Sequence, residues 1–236
     1  KKLIKIYKKK YEESLKIRLR ADVPMALCLS GGIDSATIAG VSKLKLNRNF
    51  ETFSIIDNKD ERYDESKSIK KILKKLKIKS NFIKIKNSLN FKRLKNQISY
   101  HDSPIFTITN YLQNFLAEAI SKKRFKVAIT GTGADEIFTG YYDHQLMYLY
   151  EVSKNKKLFK IHMNSWKRNV FPIIRNKYFR DPYLFYKNKN ERSYIYDHNK
   201  ELKKFFKKPK KNNFTEIKYI NSLLKNRMLN ETFAEN

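Results

Sequence analysis

Cysteine is almost absent. Cys28 is the only one in 236 residues, which excludes an intrachain disulfide and a thiolate metal cluster. It sits in an apolar stretch, where it reads as a small hydrophobe and not as a nucleophile. Glycine and proline are scarce too, at six and five residues, so a pair of adjacent glycines carries positional weight. No apolar run approaches the roughly 18 residues of a membrane span, and the lysine-rich start lacks the apolar core of a signal peptide. A soluble cytoplasmic protein is the expectation. Acidic residues are outnumbered, 23 against 52 Lys and Arg, for a net charge of +29. Such an excess invites a nucleic-acid surface. Lys greatly outnumbers Arg, however, and Asn, Ile, Tyr and Phe are abundant, a composition that A- and T-rich coding produces unselected, so nucleic acid is the less favoured partner.

What is present suffices for a core. At 41% hydrophobic, the chain can build one α/β unit with an accessory piece. It opens on Lys, with a helix already in progress, and reads as part of something longer. Residues 1–150 are expected to form the main domain, and 151–236 a helical and irregular extension of it.

Tyr11, Leu15 and Leu19 lie four apart, a helical stripe over Lys8 to Arg20 that Val23-Pro24 breaks. "PMALCL" follows as a short, continuously apolar strand of the buried parallel kind. Helical spacing returns from Ile33 to Leu44, "FETFSII" is a second strand, and Glu61 to Leu76 is a helix with lysines opposite its apolar face. "NFIKI" and "FKVAIT" supply strands three and four, with helices Phe91–Tyr100 and Thr109–Lys122 between them. The spacing predicts a further helical pattern from Asn213 to Phe233, and "KKFFKKPKKNN", Lys203 to Asn213, reads as a mobile loop. Strands alternating with helices predict an α/β fold, a parallel twisted sheet with helices on both faces, plus a helical C-terminal extension. Ligands of such sheets bind beyond the carboxyl ends of the strands.

Both glycine-rich stretches fall at such ends. "LSGGIDS" follows the first strand. It is too short for Gly-x-Gly-x-x-Gly and lacks the Gly-Lys-Ser/Thr of a Walker loop. What remains is a tight turn at a helix N-terminus. Amides of Gly31, Gly32 and Ile33 and hydroxyls of Ser30 and Ser35 converge there, which suits an anion. Asp34 beside a phosphate makes sense with a cation between them, so Mg²⁺ is inferred. "GTGADEIFTGYYDH" repeats the arrangement after the fourth strand, where Asp135 and Glu136 supply further carboxylates. The bland reading of Asp34, Asp135 and Glu136 is a favourable charge in a helix's first turn. The four histidines read as ordinary surface or hydrogen-bonding residues, and Tyr141 and Tyr142 as packing.

Together, "RLRADVPMALCLSGGIDSATIAG", "FSIIDNKDERYDES" and "VAITGTGADEIFTGYYDH" resemble the synthetase domain of asparagine synthetase, a member of the PP-loop ATP pyrophosphatase superfamily with the adenine nucleotide alpha hydrolase-like fold. The resemblance runs from about Lys16 to His144, and "YINSLLKNRMLNETFAEN" is similar to a helix of family members associated with surface-polysaccharide clusters. It implies ATP cleaved between its α and β phosphates, with pyrophosphate held by Ser30, Gly31, Gly32, Asp34 and Ser35. Leu29, Ile55, Thr130 and Gly131 would border the adenosine, and Asp34 and Asp135 would bind Mg²⁺ as the catalytic carboxylates. A small carboxylate, aspartate in the family, would be adenylated and then attacked by ammonia. Three departures stand beside this. Thr132 replaces the Glu usual between the glycines of the second motif. The glutaminase domain and the later Arg-x-Pro-Phe-Leu-Asp segment are not in this chain. The competing readings are a PP-loop tRNA-modifying adenylating enzyme, which would give the charge a purpose, and a catalytically incomplete nucleotide- or nucleic-acid-binding fragment.

Overall fold

The computed structural model describes residues 2–56, 64–85, 90–105, 107–191 and 216–233. The chain forms two compact units, Lys1–Thr132 and Gly133–Asn236.

Among its described residues the first unit holds four parallel strands: β1 (Met25–Cys28), β2 (Glu51–Ile56), β3 (Ser80–Lys84) and β4 (Val127–Ile129). Their order is β3-β2-β1-β4. Among the described residues five helices belong with them: α1 (Lys2–Arg18), α2 (Ile33–Leu44), α3 (Ser66–Leu76), α4 (Phe91–His101) and α5 (Ile108–Lys122). Alternation along β1 divides its side chains between two cores. Leu27, and Leu29 just beyond the strand, pack with Leu15 of α1, Ile38 and Ala39 of α2, and Ile69 and Leu76 of α3. Ala26 and Cys28 pack with Phe53 of β2 and with Leu116, Ala119 and Ile120 of α5. Helices therefore cover both faces of the sheet. Phe53 is 1% exposed and meets Phe125 edge to face at 5.5 Å.

The register sets Cys28 beside Phe53 and Leu27 beside Ile129. From β1 the chain adds strands first on one side, β2 then β3, and later on the other, β4. The order reverses between β1 and β4, and the crevice beyond such a reversal is where open α/β sheets take ligands.

The second unit is helical: α6 (Ala134–Phe138), α7 (Tyr142–Val152), α8 (Lys156–Asn169), α9 (Leu184–Lys187) and α10 (Leu223–Phe233), with 3₁₀ turns at Phe171–Ile173 and Lys177–Arg180. Its own core joins Leu146, Met147 and Leu149 of α7, Met163 and Trp166 of α8, Phe185 of α9 and Leu224 of α10. No helix among the described residues is long and apolar enough to cross a membrane.

Three helix starts differ by more than a turn from those the spacing predicts. Helix α1 already runs from Lys2. Helix α3 starts at Ser66, because the Asp64 carboxylate accepts from the Ser66 amide at 3.0 Å and hydroxyl at 2.6 Å, an Asx turn that halts the helix there. The C-terminal helix starts at Leu223 and not near Asn213. Ile217 and Ile220 are exposed, and the Ile217 and Tyr219 amides donate to Asn230 (2.8 Å) and Asn226 (2.7 Å) of α10, so side chains take bonds that a helix would have kept. Residues 203–213, read as a loop, lie outside the described residues.

Candidate active site

Beyond β1, the Leu29 amide still donates to Phe53 O at 2.9 Å. The chain then turns, and Ser35 organises the turn. Its hydroxyl accepts from the Ser30 amide at 3.1 Å, donates to Ser30 O at 3.0 Å and lies 2.9 Å from the Ser30 hydroxyl. Gly32 caps α2 in an extended conformation with no side-chain hydrogen bond, and Asp34 lies in the first helical turn. Amides left uncapped at a helix start are donors for an anion.

One anion is already seated there. The Gly31 amide donates to Glu65 Oε2 at 3.0 Å. Glycine is required at that point, since a Cβ on Gly31 would stand 2.8 Å from the Glu65 Cβ and 3.0 Å from the Ser68 Cβ.

The second glycine-rich stretch leaves β4 and crosses directly over the first turn of α2. A Cβ on Gly131 would lie 3.0 Å from Ser35 N and 3.1 Å from the Asp34 Cβ. The Thr130 hydroxyl donates to the Thr132 hydroxyl at 3.1 Å. Leu29, Ser30, Gly31, Gly32, Asp34, Ser35, Thr130 and Gly131 thus gather at the carboxyl ends of two adjacent strands, and Ile55 lies in β2, the next strand along. The Tyr11 phenol is pushed up mainly by burial, then by Tyr7 and the negative charge of Asp34. Burial pushes the Cys28 thiol up to about 11, so it stays protonated near neutrality and supplies no nucleophile.

A family model described as asparagine synthase matches residues 7–229. The chain belongs to the asparagine synthase family. "Amidase chyE" of Penicillium rubens is 31% identical over 147 residues, 57% of this chain and 22% of that protein. "Putative asparagine synthetase [glutamine-hydrolyzing] 2" of Methanocaldococcus jannaschii is 33% identical over 145 residues, 61% of this chain and 28% of that protein. The chain therefore spans about a quarter of the length of these relatives. Among solved structures, an NH3-dependent NAD synthetase from Campylobacter jejuni aligns over 56% of this chain and 58% of that one, at 20% identity and a TM-score of 0.38.

The rest of this asparagine synthase motif opens the second unit. Gly133 has φ 95°, the left-handed conformation that glycine adopts without cost. The Gly140 amide donates to Asp135 O at 2.9 Å, and a Cβ on Gly140 would overlap the Asp135 carboxylate. The backbone thus closes tightly around Asp135. The Tyr141 hydroxyl donates to Glu136 Oε1 at 2.6 Å. Burial, followed by that hydrogen bond and the charges of Glu136, Asp135 and Glu231, pushes the Tyr141 phenol well above its ordinary range. Asp34 and Asp135 belong to different units.

Sequence reasoning missed two features. Glu65 lies in the acidic segment after β2 that shares in the family resemblance, but nothing in the sequence signals its bond to the Gly31 amide. His144, read as an ordinary surface or hydrogen-bonding residue, is fully buried, 2.8 Å from Glu231, and no spacing in the sequence signals that pairing.

Proposed function

We propose that this chain is the ATP-using part of an amide-forming ligase. In this reading a small carboxylate, aspartate first among them, attacks the α-phosphorus of ATP; pyrophosphate leaves, and ammonia then displaces AMP from the acyl-adenylate. The observation that carries the reading is the crossing of Gly131 over Asp34 and Ser35, which joins the two glycine motifs at the β1/β4 reversal. Membership of the asparagine synthase family and the amide chemistry in the relatives' names support it.

Ser30, Gly31, Gly32 and Ser35 would hold the pyrophosphate portion, and the Glu65 carboxylate on the Gly31 amide is the stand-in that tests the fit. Leu29, Ile55, Thr130 and Gly131 would border the adenosine. Asp34 and Asp135 are the residues proposed to hold Mg²⁺, which when bound supplies charge neutralisation on the departing pyrophosphate. The chain's own contribution is alignment and charge placement, with no protein nucleophile needed. Thr132 offers a hydroxyl where a carboxylate is usual, so it can hydrogen-bond an acceptor but holds no anionic base. Ammonia would reach the site from a glutaminase domain or subunit outside this chain, in the cytoplasm.

The test is exchange of labelled pyrophosphate into ATP with a panel of small carboxylic acids, run with and without tRNA. Exchange dependent on one such acid is expected. Exchange that appears only with tRNA would transfer the assignment to the tRNA-modifying reading that the +29 charge favours.

A further inference from the structure

Asp143 and His144 enter the core of the second unit side by side in the first turns of α7, and Glu231 meets them from α10. Their exposures are 5%, 0% and 5%. One ligand atom from each lies within 4.8 Å of the others. His144 Nε2 and Glu231 Oε2 are 2.8 Å apart, yet they are not aligned as donor and acceptor, and neither ring nitrogen of His144 makes a hydrogen bond among the described residues. A fully buried imidazole without one is an exception that calls for a cause.

Two such atoms, close but misaligned for a hydrogen bond, are placed as neighbouring ligands of one ion. Zinc–ligand bonds of about 2.1 Å at the tetrahedral angle set neighbouring ligand atoms roughly 3.4 Å apart, so an ion between them would open the 2.8 Å pair slightly. Arg227 approaches the same carboxylates, its Nε 2.9 Å from Glu231 Oε1 and 3.8 Å from Asp143 Oδ2, while Nη1 is 3.5 Å from Glu216 Oε1. A guanidinium on the far oxygen of a ligating carboxylate is the kind of outer partner that orients metal ligands.

We infer that Asp143, His144 and Glu231 bind a first-row transition-metal dication, Zn²⁺ in the first instance, fastening α7 to α10. An imidazole with two carboxylates favours such an ion over Mg²⁺ or Ca²⁺, which take oxygen alone. His144 also lines a cavity of about 440 Å³ with Thr139, Tyr148 and Trp166. This site is independent of the ATP reading.

The test uses the full chain, freed of metal with chelator, dialysed against Zn²⁺ and counted by mass spectrometry, with X-ray absorption at the zinc edge. One zinc per chain is expected, with a shell that includes one imidazole and a raised melting temperature. His144→Gln should lose the zinc, while His101→Gln and His162→Gln should keep it. Absence of retained zinc in the unaltered chain, a shell without imidazole, or full retention in His144→Gln would each overturn the proposal and leave a buried His–Glu ion pair. If His144→Gln does not fold, the absorption spectrum of the unaltered chain decides.

Discussion

Glu65 sets its carboxylate 3.0 Å from the amide nitrogen of Gly31, so the first glycine turn carries an acid from the start of α3. A phosphate oxygen that takes the Gly31 amide must displace that carboxylate, and the two anions repel. Replacing Glu65 with Gln should therefore tighten pyrophosphate binding in the absence of Mg²⁺ by a few-fold, on the order of 1 kcal/mol. Calorimetric titration checks it, and weaker binding by the variant would show that Glu65 assists the anion.

Gly131 is not held at positive φ, so its constraint is steric. Gly131→Ala would press a methyl group onto Ser35 N and the Asp34 Cβ. The loss of stability should be about 1–3 kcal/mol, read as a lower urea midpoint with an unchanged slope. A midpoint equal to that of the unaltered chain would mean that the two glycine motifs do not meet as described.

Much of this arrangement is legible in the chain. The apolar run of β1, the glycine pair and the return to helical spacing fix α2 at Ile33–Leu44, as observed. Local rules sufficed there because strand, turn and helix are continuous in sequence. They failed where partners are distant. Glu65 reaches Gly31 across 34 positions, and no periodicity announces such a bond. The His144–Glu231 contact joins α7 to α10, and only packing brings them together. The apolar spacing before α10 misled because Ile217 and Ile220 face outward, while Asn226 and Asn230 hold the backbone of that segment.

Cys28 provides a pH test. Its thiol is raised to about 11 by burial, above the value of about 8.5 for a free thiol. The folded state thus holds the proton more tightly. Its contribution to stability is complete below about pH 8.5 and is lost as pH rises through 11. Iodoacetamide at pH 8.5 should alkylate native Cys28 at least about tenfold more slowly than the urea-unfolded chain, because thiolate is the reactive form. Equal rates would contradict a half-buried, protonated thiol.

Phe53 anchors the face of the sheet covered by α5. Phe53→Ala removes a side chain that is 1% exposed and its edge-to-face contact with Phe125. A loss of about 3–5 kcal/mol is expected from denaturant unfolding. A loss under about 1 kcal/mol would contradict the close packing of that core.

The account rests on the Ser30–Ser35 turn as the seat of a magnesium-bound nucleotide, and calorimetric titration of ATP into the chain with and without Mg²⁺ tests it most directly. Binding that requires Mg²⁺, and that falls at least about tenfold in Asp34→Ala, a loss of roughly 1.4 kcal/mol, is the predicted result. Binding of equal strength in Asp34→Ala, or equal with and without Mg²⁺, would contradict it.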